Sequence, residues 1–156
     1  MVFLRIFEKY LKLLVMKKII LLLAIFFPTV FFSQSSRDIN TVIQKTIDLH
    51  ALKKHFSESE MAGETPLIIL NDDKIPNNLI VFKFNKRVKI MTPAQLETFK
   101  SIYKGSLDSY FVFEIMDFNE NEVTIKATFR KTDKIAINVS MKKEDRNWLV
   151  TESSAG

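Results

Sequence analysis

Residues 110–150 read YFVFEIMDFNENEVTIKATFRKTDKIAINVSMKKEDRNWLV, and the alternation inside this stretch decides the fold. From Val123 to Arg130 apolar and polar residues alternate without a break, the period-2 signature of a strand with one dry and one wet face. Ile135 to Met141 repeats it. Tyr110 to Phe118 is apolar at nearly every position, so only pairing can orient it. A three-residue Asn119-Glu120-Asn121 loop sets Phe118 opposite Glu122, Ile115 beside Ile125, Phe113 beside Ala127 and Phe111 beside Phe129. Asn121 then takes the left-handed position such a loop needs. The expected dry face is Phe111, Phe113, Ile115, Val123, Ile125, Ala127 and Phe129.

The next hairpin tests this register. A two-residue Thr132-Asp133 loop would turn Ile135, Ile137 and Val139 to the wet side, because a one-residue slip flips every side chain. A Lys131-Thr132-Asp133 loop instead sets Phe129 by Ile135, Ala127 by Ile137, Ile125 by Val139 and Val123 by Met141. It also brings Glu114 opposite Lys126 and Glu122 opposite Lys142. A last strand, Asn147 to Thr151, puts Trp148 and Val150 on the dry face if the Glu144-Asp145 loop has an even count, with Trp148 as a core-edge plug.

On the wet side this register leaves Tyr110, Val112, Glu114, Met116 and Phe118 along one strand, beside Thr124, Lys126, Thr128 and Arg130 on the next. Four of those first five are apolar or aromatic, so something must cover them. Either the Leu67–Tyr103 segment packs over the strand, or Tyr110, Val112, Met116 and Phe118 form an interaction surface for a protein partner or a second copy.

The dry face needs a cover of its own. Arg37 to Phe56 reads as an amphipathic helix, with Ile39, Val42, Ile43, Ile47, Leu49, Leu52 and Phe56 on a broad apolar arc. Asn40, Gln44, Asp48 and His55 lie opposite. Ser36 or Asp38 suits its N-cap. Ser57 to Thr65 reads as a loop, Leu67 to Leu70 as a short strand, and Asn71 to Asn78 as a loop. Leu79 to Phe84 and Arg87 to Met91 read as a hairpin across Asn85-Lys86. Thr92-Pro93-Ala94-Gln95 starts a second helix with a threonine cap, a first-turn proline and a capping-box glutamine; it runs to near Gly105. The fold class is therefore α+β. An N-terminal amphipathic helix packs on a curved antiparallel β-sheet that ends in a four-stranded meander, with a short second helix.

Residues 1–33 differ in kind. Met16-Lys17-Lys18 followed by Ile19 to Phe27, then Pro28 and Ser33-Gln34, reads as a secretory signal peptide with translation starting at Met16. The apolar run Ile19 to Phe32 falls short of the about 20 residues of a spanning helix. The expected mature chain is a single domain, 34–156, exported to the periplasm or beyond; an uncleaved inner-membrane anchor is the alternative, the membrane being met only through the leader. The leader also carries the charge. The chain's net charge is +5 from 23 basic and 18 acidic residues, and residues 1–33 hold five basic against one acidic. The remainder, 18 against 17, is near neutral, so no global electrostatic case for nucleic acid exists. Lys83, Lys86, Arg87 and Lys89 read as the lysines of a solvated edge strand. The absence of cysteine excludes disulfides, lipoprotein acylation and thiolate chemistry.

The search for chemistry is mostly negative. His50 and His55 are five residues apart, about 140° around a helix, and cannot share a metal. His50 falls on the apolar arc and reads as a core histidine. The Asn71, Asp72, Asp73, Asn77 and Asn78 loop lacks the glycine and distal glutamate of a calcium loop. No nucleophile elbow or phosphate-binding glycine loop is present. No catalytic, cofactor-binding or metal-ligating residue is assigned, and no cofactor is expected.

The Phe84-Asn85-Lys86 turn, Val88 to Gln95, Tyr110-Phe111, Asn119 to Glu122 and Trp148-Leu149-Val150 resemble small exported proteins of Gram-negative bacteria without an assigned activity. The helix followed by a curved sheet is similar to the cystatin and nuclear-transport-factor group of folds. That resemblance implies a binding domain or an enzyme domain and places no catalytic residue here; a pocket between helix and sheet holding an ionisable group such as His50 or Asp117 would favour a cone-shaped ligand-binding or enzyme domain. The expected function is an exported, non-enzymatic binding or assembly domain; a membrane-tethered structural protein is the further alternative.

Overall fold

Alternation in the sequence becomes a meander in space. A computed structural model describes residues 35–105, 107–130 and 132–156; the leader, its expected start at Met16 and its expected cut lie outside the described residues. Strands β5 (Tyr110–Asn119), β6 (Glu122–Phe129), β7 (Ile135–Glu144) and β8 (Asn147–Ala155) pair in sequence order, each antiparallel to the next. The β6–β7 register is the expected one, from Phe129↔Ile135 to Glu122↔Lys142. Phe111 faces Phe129, and their rings stack at 4.4 Å between centroids.

The β5–β6 hairpin departs from expectation. Its loop has two residues, Glu120-Asn121, so Asn119 rather than Phe118 faces Glu122. Glu120, not Asn121, takes the positive φ. A bulge between Phe113 and Ile115 then switches parity in mid-strand, so that Phe111 and Phe113 point inward at one end and Met116 and Phe118 pack on the core at the other. Ile115 is expelled, 44% exposed, and it faces Lys126, displacing Glu114 from that pairing. A strand apolar at almost every position accepts either parity, so the tight turn and the core are both served by one inserted residue. Beyond the expected end at Thr151, β8 runs on to Ala155, with a second register shift near Val150. Trp148 is buried, whereas Val150 is left 40% exposed.

The sheet is mixed rather than antiparallel. Its order is β4-β1-β5-β6-β7-β8, and β1 (Ile68–Leu70) runs parallel to both β4 (Lys89–Met91) and β5. Leu67-Ile68-Ile69-Leu70 has no polar position, as suits a strand with both faces covered. β4 reaches β5 through the helix Pro93–Ile102, the kind of crossover that parallel strands require. That helix has the expected capping box, with Pro93 in its first turn. It ends at Ile102, with Tyr103 as cap, short of Gly105. The hairpin is correspondingly smaller than expected. Only β2 (Phe82–Lys83) and β3 (Lys86–Arg87) pair, across Phe84-Asn85, as a separate two-stranded sheet.

The expected 20-residue helix is broken. Helix α1 (Ser36–Ile47) is capped by Ser35 and ends at Asp48. A 3₁₀ helix, His50–His55, and a short helix α2, Glu58–Met61, follow it, α2 lying where a loop was expected. At 100° per residue the apolar positions from Ile39 to Phe56 cover about 220°, too wide for one face of one helix. Breaking the chain at Leu49 turns both halves inward: Val42, Ile43 and Ile47 share one buried cluster with Leu49, Leu52, Phe56, Phe111 and Phe129. The helix Pro93–Ile102, now α3, buries Leu96 and packs against β4.

Candidate functional site

The site is assembled from the segment after α1. Ser57 and Glu60 form a capping box: Ser57 Oγ accepts from the Glu60 amide, and Glu60 Oε2 accepts from the Ser57 amide at 2.6 Å. Folding then buries the glutamate almost completely, at 1% exposed. Arg130 Nη2 donates to Glu60 Oε2 at 2.8 Å and to the His55 carbonyl at 2.6 Å, and Ser109 Oγ donates to Glu60 Oε1. Every lone-pair direction of a buried carboxylate is costly to leave empty, and here both oxygens are occupied. Arg130, expected on the wet face, instead leaves the strand with φ +72° and turns back to close this cluster.

Beside Glu60 opens a cleft of about 240 Å³. Its lining includes Glu64, Leu67, Lys83, Lys86, Arg87 and Lys89. The β2–β3 hairpin that carries three of these cations is hung from the polar side of α1. Asn40 Oδ1 accepts from the Ile80 amide at 2.7 Å. Gln44 accepts from the Phe82 amide at 2.9 Å and donates to the Phe82 carbonyl at 2.8 Å. Asp48 Oδ1 accepts from Lys83 Nζ at 2.9 Å. Asn40 and Gln44, spaced at i and i+4, therefore act as a surrogate strand for the backbone of 80–82, and Asp48 at i+8 holds the Lys83 side chain. The turn has both central residues at positive φ, 50° at Phe84 and 60° at Asn85, the arrangement that matches hairpin twist. The Phe84 ring sits edge-on to Phe56 at 5.0 Å, which anchors it.

Gly63 completes the wall. It follows α2 at φ +72°, and a methyl group there would lie 2.8 Å from Lys86 Cγ. The bare backbone is what lets the lysine stem rest on it.

Asp38 and Asn71 are committed elsewhere, whereas His55 Nε2 is buried without a hydrogen-bond partner. Asp38 Oδ1 accepts from Lys143 Nζ and Trp148 Nε1, both at 2.8 Å, tying the start of α1 to the β7–β8 end. Burial raises the Asp38 pKa, but the hydrogen bonds from Lys143, Trp148 and Ser35 outweigh it, and the net shift is downward. Buried Asn71 organises its loop, accepting from the Asp73 amide at 3.0 Å and donating to the Ile75 carbonyl at 2.9 Å and to Asn77 Oδ1 at 2.6 Å. Among the described residues no group of three His, Asp or Glu side chains is placed to hold a metal.

The sequence-derived residues scatter. Tyr110 and Val112 pair with Ile68 and Leu70 of β1, whereas Met116 and Phe118 face the core, Phe118 lying edge-on to Trp148. The four do not share a face. Burial raises the Tyr110 pKa; Lys100 opposes this, and Asp108 and Glu97 reinforce it. His50 is exposed, contrary to its reading as a core histidine, because the break at Leu49 rephases it. Asp117 is exposed too. Glu60, Ser109 and the hairpin cleft were not anticipated. The Ser57-x-x-Glu60 spacing was a readable capping signal; its burial against Arg130, 70 residues away in sequence, had none. Comparison with protein-family models, with curated proteins and with solved structures finds no match.

Proposed function

We propose that the chain is an exported, non-enzymatic binding or assembly domain, working in the periplasm or outside the cell, whose ligand meets the hairpin cleft. The observation that carries this is the commitment of its fully buried polar residues; among the described residues the one buried side-chain nitrogen without a hydrogen-bond partner, His55 Nε2, does not line the cleft. Thr46, Glu60, Asn71 and Ser109 all have partners inside the fold. A catalytic acid, base or nucleophile must have a free valence toward substrate. The space under α1 is filled by Ile43, Ile47, Leu52, Phe111 and Phe129, each fully buried, which supports a surface ligand over one held between helix and sheet. The helix laid against a four-strand meander supports the likeness to the cystatin and nuclear-transport-factor group, with β1, β4 and α3 as an addition.

Export rests on the pattern of Met16 to Gln34. Protein recovered from the periplasm of a Gram-negative host is expected to begin near Gln34 by mass spectrometry; retention of residues 16–33 favours the tethered alternative. The same protein is incubated with chromogenic ester, phosphate, glycoside and peptide substrates. No turnover is expected, and turnover lost on a cleft substitution overturns the reading.

A further inference from the structure

We infer that the hairpin cleft binds a small molecule carrying at least two closely spaced oxyanion charges, carboxylate or phosphate; this rests on the reading of the chain as a binding domain. The first observation is a like-charge pair. The register of β2 and β3 sets Lys83 directly opposite Lys86, an arrangement that destabilises an antiparallel pair. The hairpin cannot splay to relieve it. Gln44 holds Phe82 by two hydrogen bonds, Phe84 is pinned on Phe56, and the Lys86 stem lies over Gly63.

The second observation is the shortage of counter-charge. Asp48 neutralises Lys83, but among the described residues Lys86, Arg87 and Lys89 have no carboxylate at ion-pair distance. Of the two acids in the lining, Glu60 is already neutralised by Arg130, which leaves Glu64 on the rim. Residues 34–156 are near neutral as a whole, so this excess is local. Edge protection needs charge on a strand; it does not need cations from β2, β3 and β4 to line one concavity, where Lys89 Nζ also rests over the Phe99 ring at 5.7 Å. The volume of about 240 Å³ is below the roughly 300–1,000 Å³ of sites for drug-sized ligands. A small polyanion fits that size and sign.

The test is calorimetric titration of the exported protein with citrate and, separately, pyrophosphate at low salt. Saturable 1:1 binding of at least one is expected; the preferred probe tells carboxylate from phosphate. Lys86→Gln with Arg87→Gln, which keeps both stems, should weaken it by on the order of 25-fold, about fivefold for each charge removed. Asp48→Asn should strengthen it by a few-fold by releasing Lys83. A Lys53→Gln, Lys142→Gln control removes equal charge elsewhere and should leave affinity within about twofold. Failure of both probes to saturate, or equal weakening in the control, overturns the anion cleft. Running every sample through the turnover assay separates the two ideas: turnover with anion binding intact removes the binding-domain reading alone, and absent binding without turnover removes the cleft alone.

Discussion

The meander 110–155 and the segment 67–103 solve the same problem by opposite means. In the meander each strand finds its partner next door, across a short turn, and its side chains alternate because only one face is buried. In the segment 67–103 the partners are remote. β1 inserts between β4 and β5, and Ile80 and Phe82 hydrogen-bond to side chains of a helix on one edge of the hairpin while β3 pairs on the other. Local pairing can be read from local pattern. Remote pairing depends on which surfaces remain uncovered once the local structure has formed.

The largest expected effects compare the meander's core with the remote contact at its edge. Phe129→Ala should cost about 3–5 kcal/mol in urea melts, through the cavity left beside Phe111 and Phe56. Arg130→Ala should cost a similar 3–5 kcal/mol, because it strands the buried Glu60 carboxylate. A double Glu60→Leu, Arg130→Met variant should recover most of that loss. An Arg130→Ala cost under about 0.5 kcal/mol, the ordinary surface value, would return Arg130 to the wet face.

Gln44→Ala sharpens the contrast further. It removes two hydrogen bonds to Phe82 and should cost about 1–2 kcal/mol. Hydrogen exchange should accelerate at Ile80 and Phe82 while the β6 and β7 amides keep their protection. Uniform acceleration would mean that the hairpin and the meander are one cooperative unit.

Acid should act at the other end of α1. The Asp38 carboxyl has a folded pKa below its ordinary value, so its stabilisation is complete above the unfolded pKa. It is lost as pH falls through the folded one, that is below about pH 4. Asp38→Asn should flatten that part of the stability–pH curve; an unchanged acid slope would show that the link to Lys143 and Trp148 contributes nothing. The smallest expected effect tests the bulge. Ile115→Ala should change stability by less than about 0.5 kcal/mol, whereas an inward Ile115 would cost several times that.

Much of the fold was legible. The β6–β7 register followed from Ile135, Ile137 and Val139, because the wrong loop length would have wetted all three. The capping box at Thr92 and the burial of Val42, Ile43 and Ile47 were readable for the same local reason. The β5 bulge was not, since Tyr110 to Phe118 offers apolar residues to both faces and no pattern remains to be violated. The parallel strands had a signal that was missed: Lys89–Met91, a capped helix and then Tyr110 is a strand–helix–strand order, which favours parallel pairing.

The candidate site was scarcely legible. Asn40, Gln44 and Asp48 looked like a solvent-facing helix stripe, and as sequence that is what they are; the backbone of Ile80 and Phe82 and the Lys83 side chain find them only in the fold. By itself the sequence determined which residues alternate, where helices are capped, and which side chains must leave water, because those properties rest on neighbours a few residues away. The tertiary structure alone decided that Arg130 meets Glu60, that Lys83 faces Lys86 over a cleft, and that His50 points outward. A charge buried 70 residues from its partner leaves no periodic trace, and its position is set by the geometry of everything packed between.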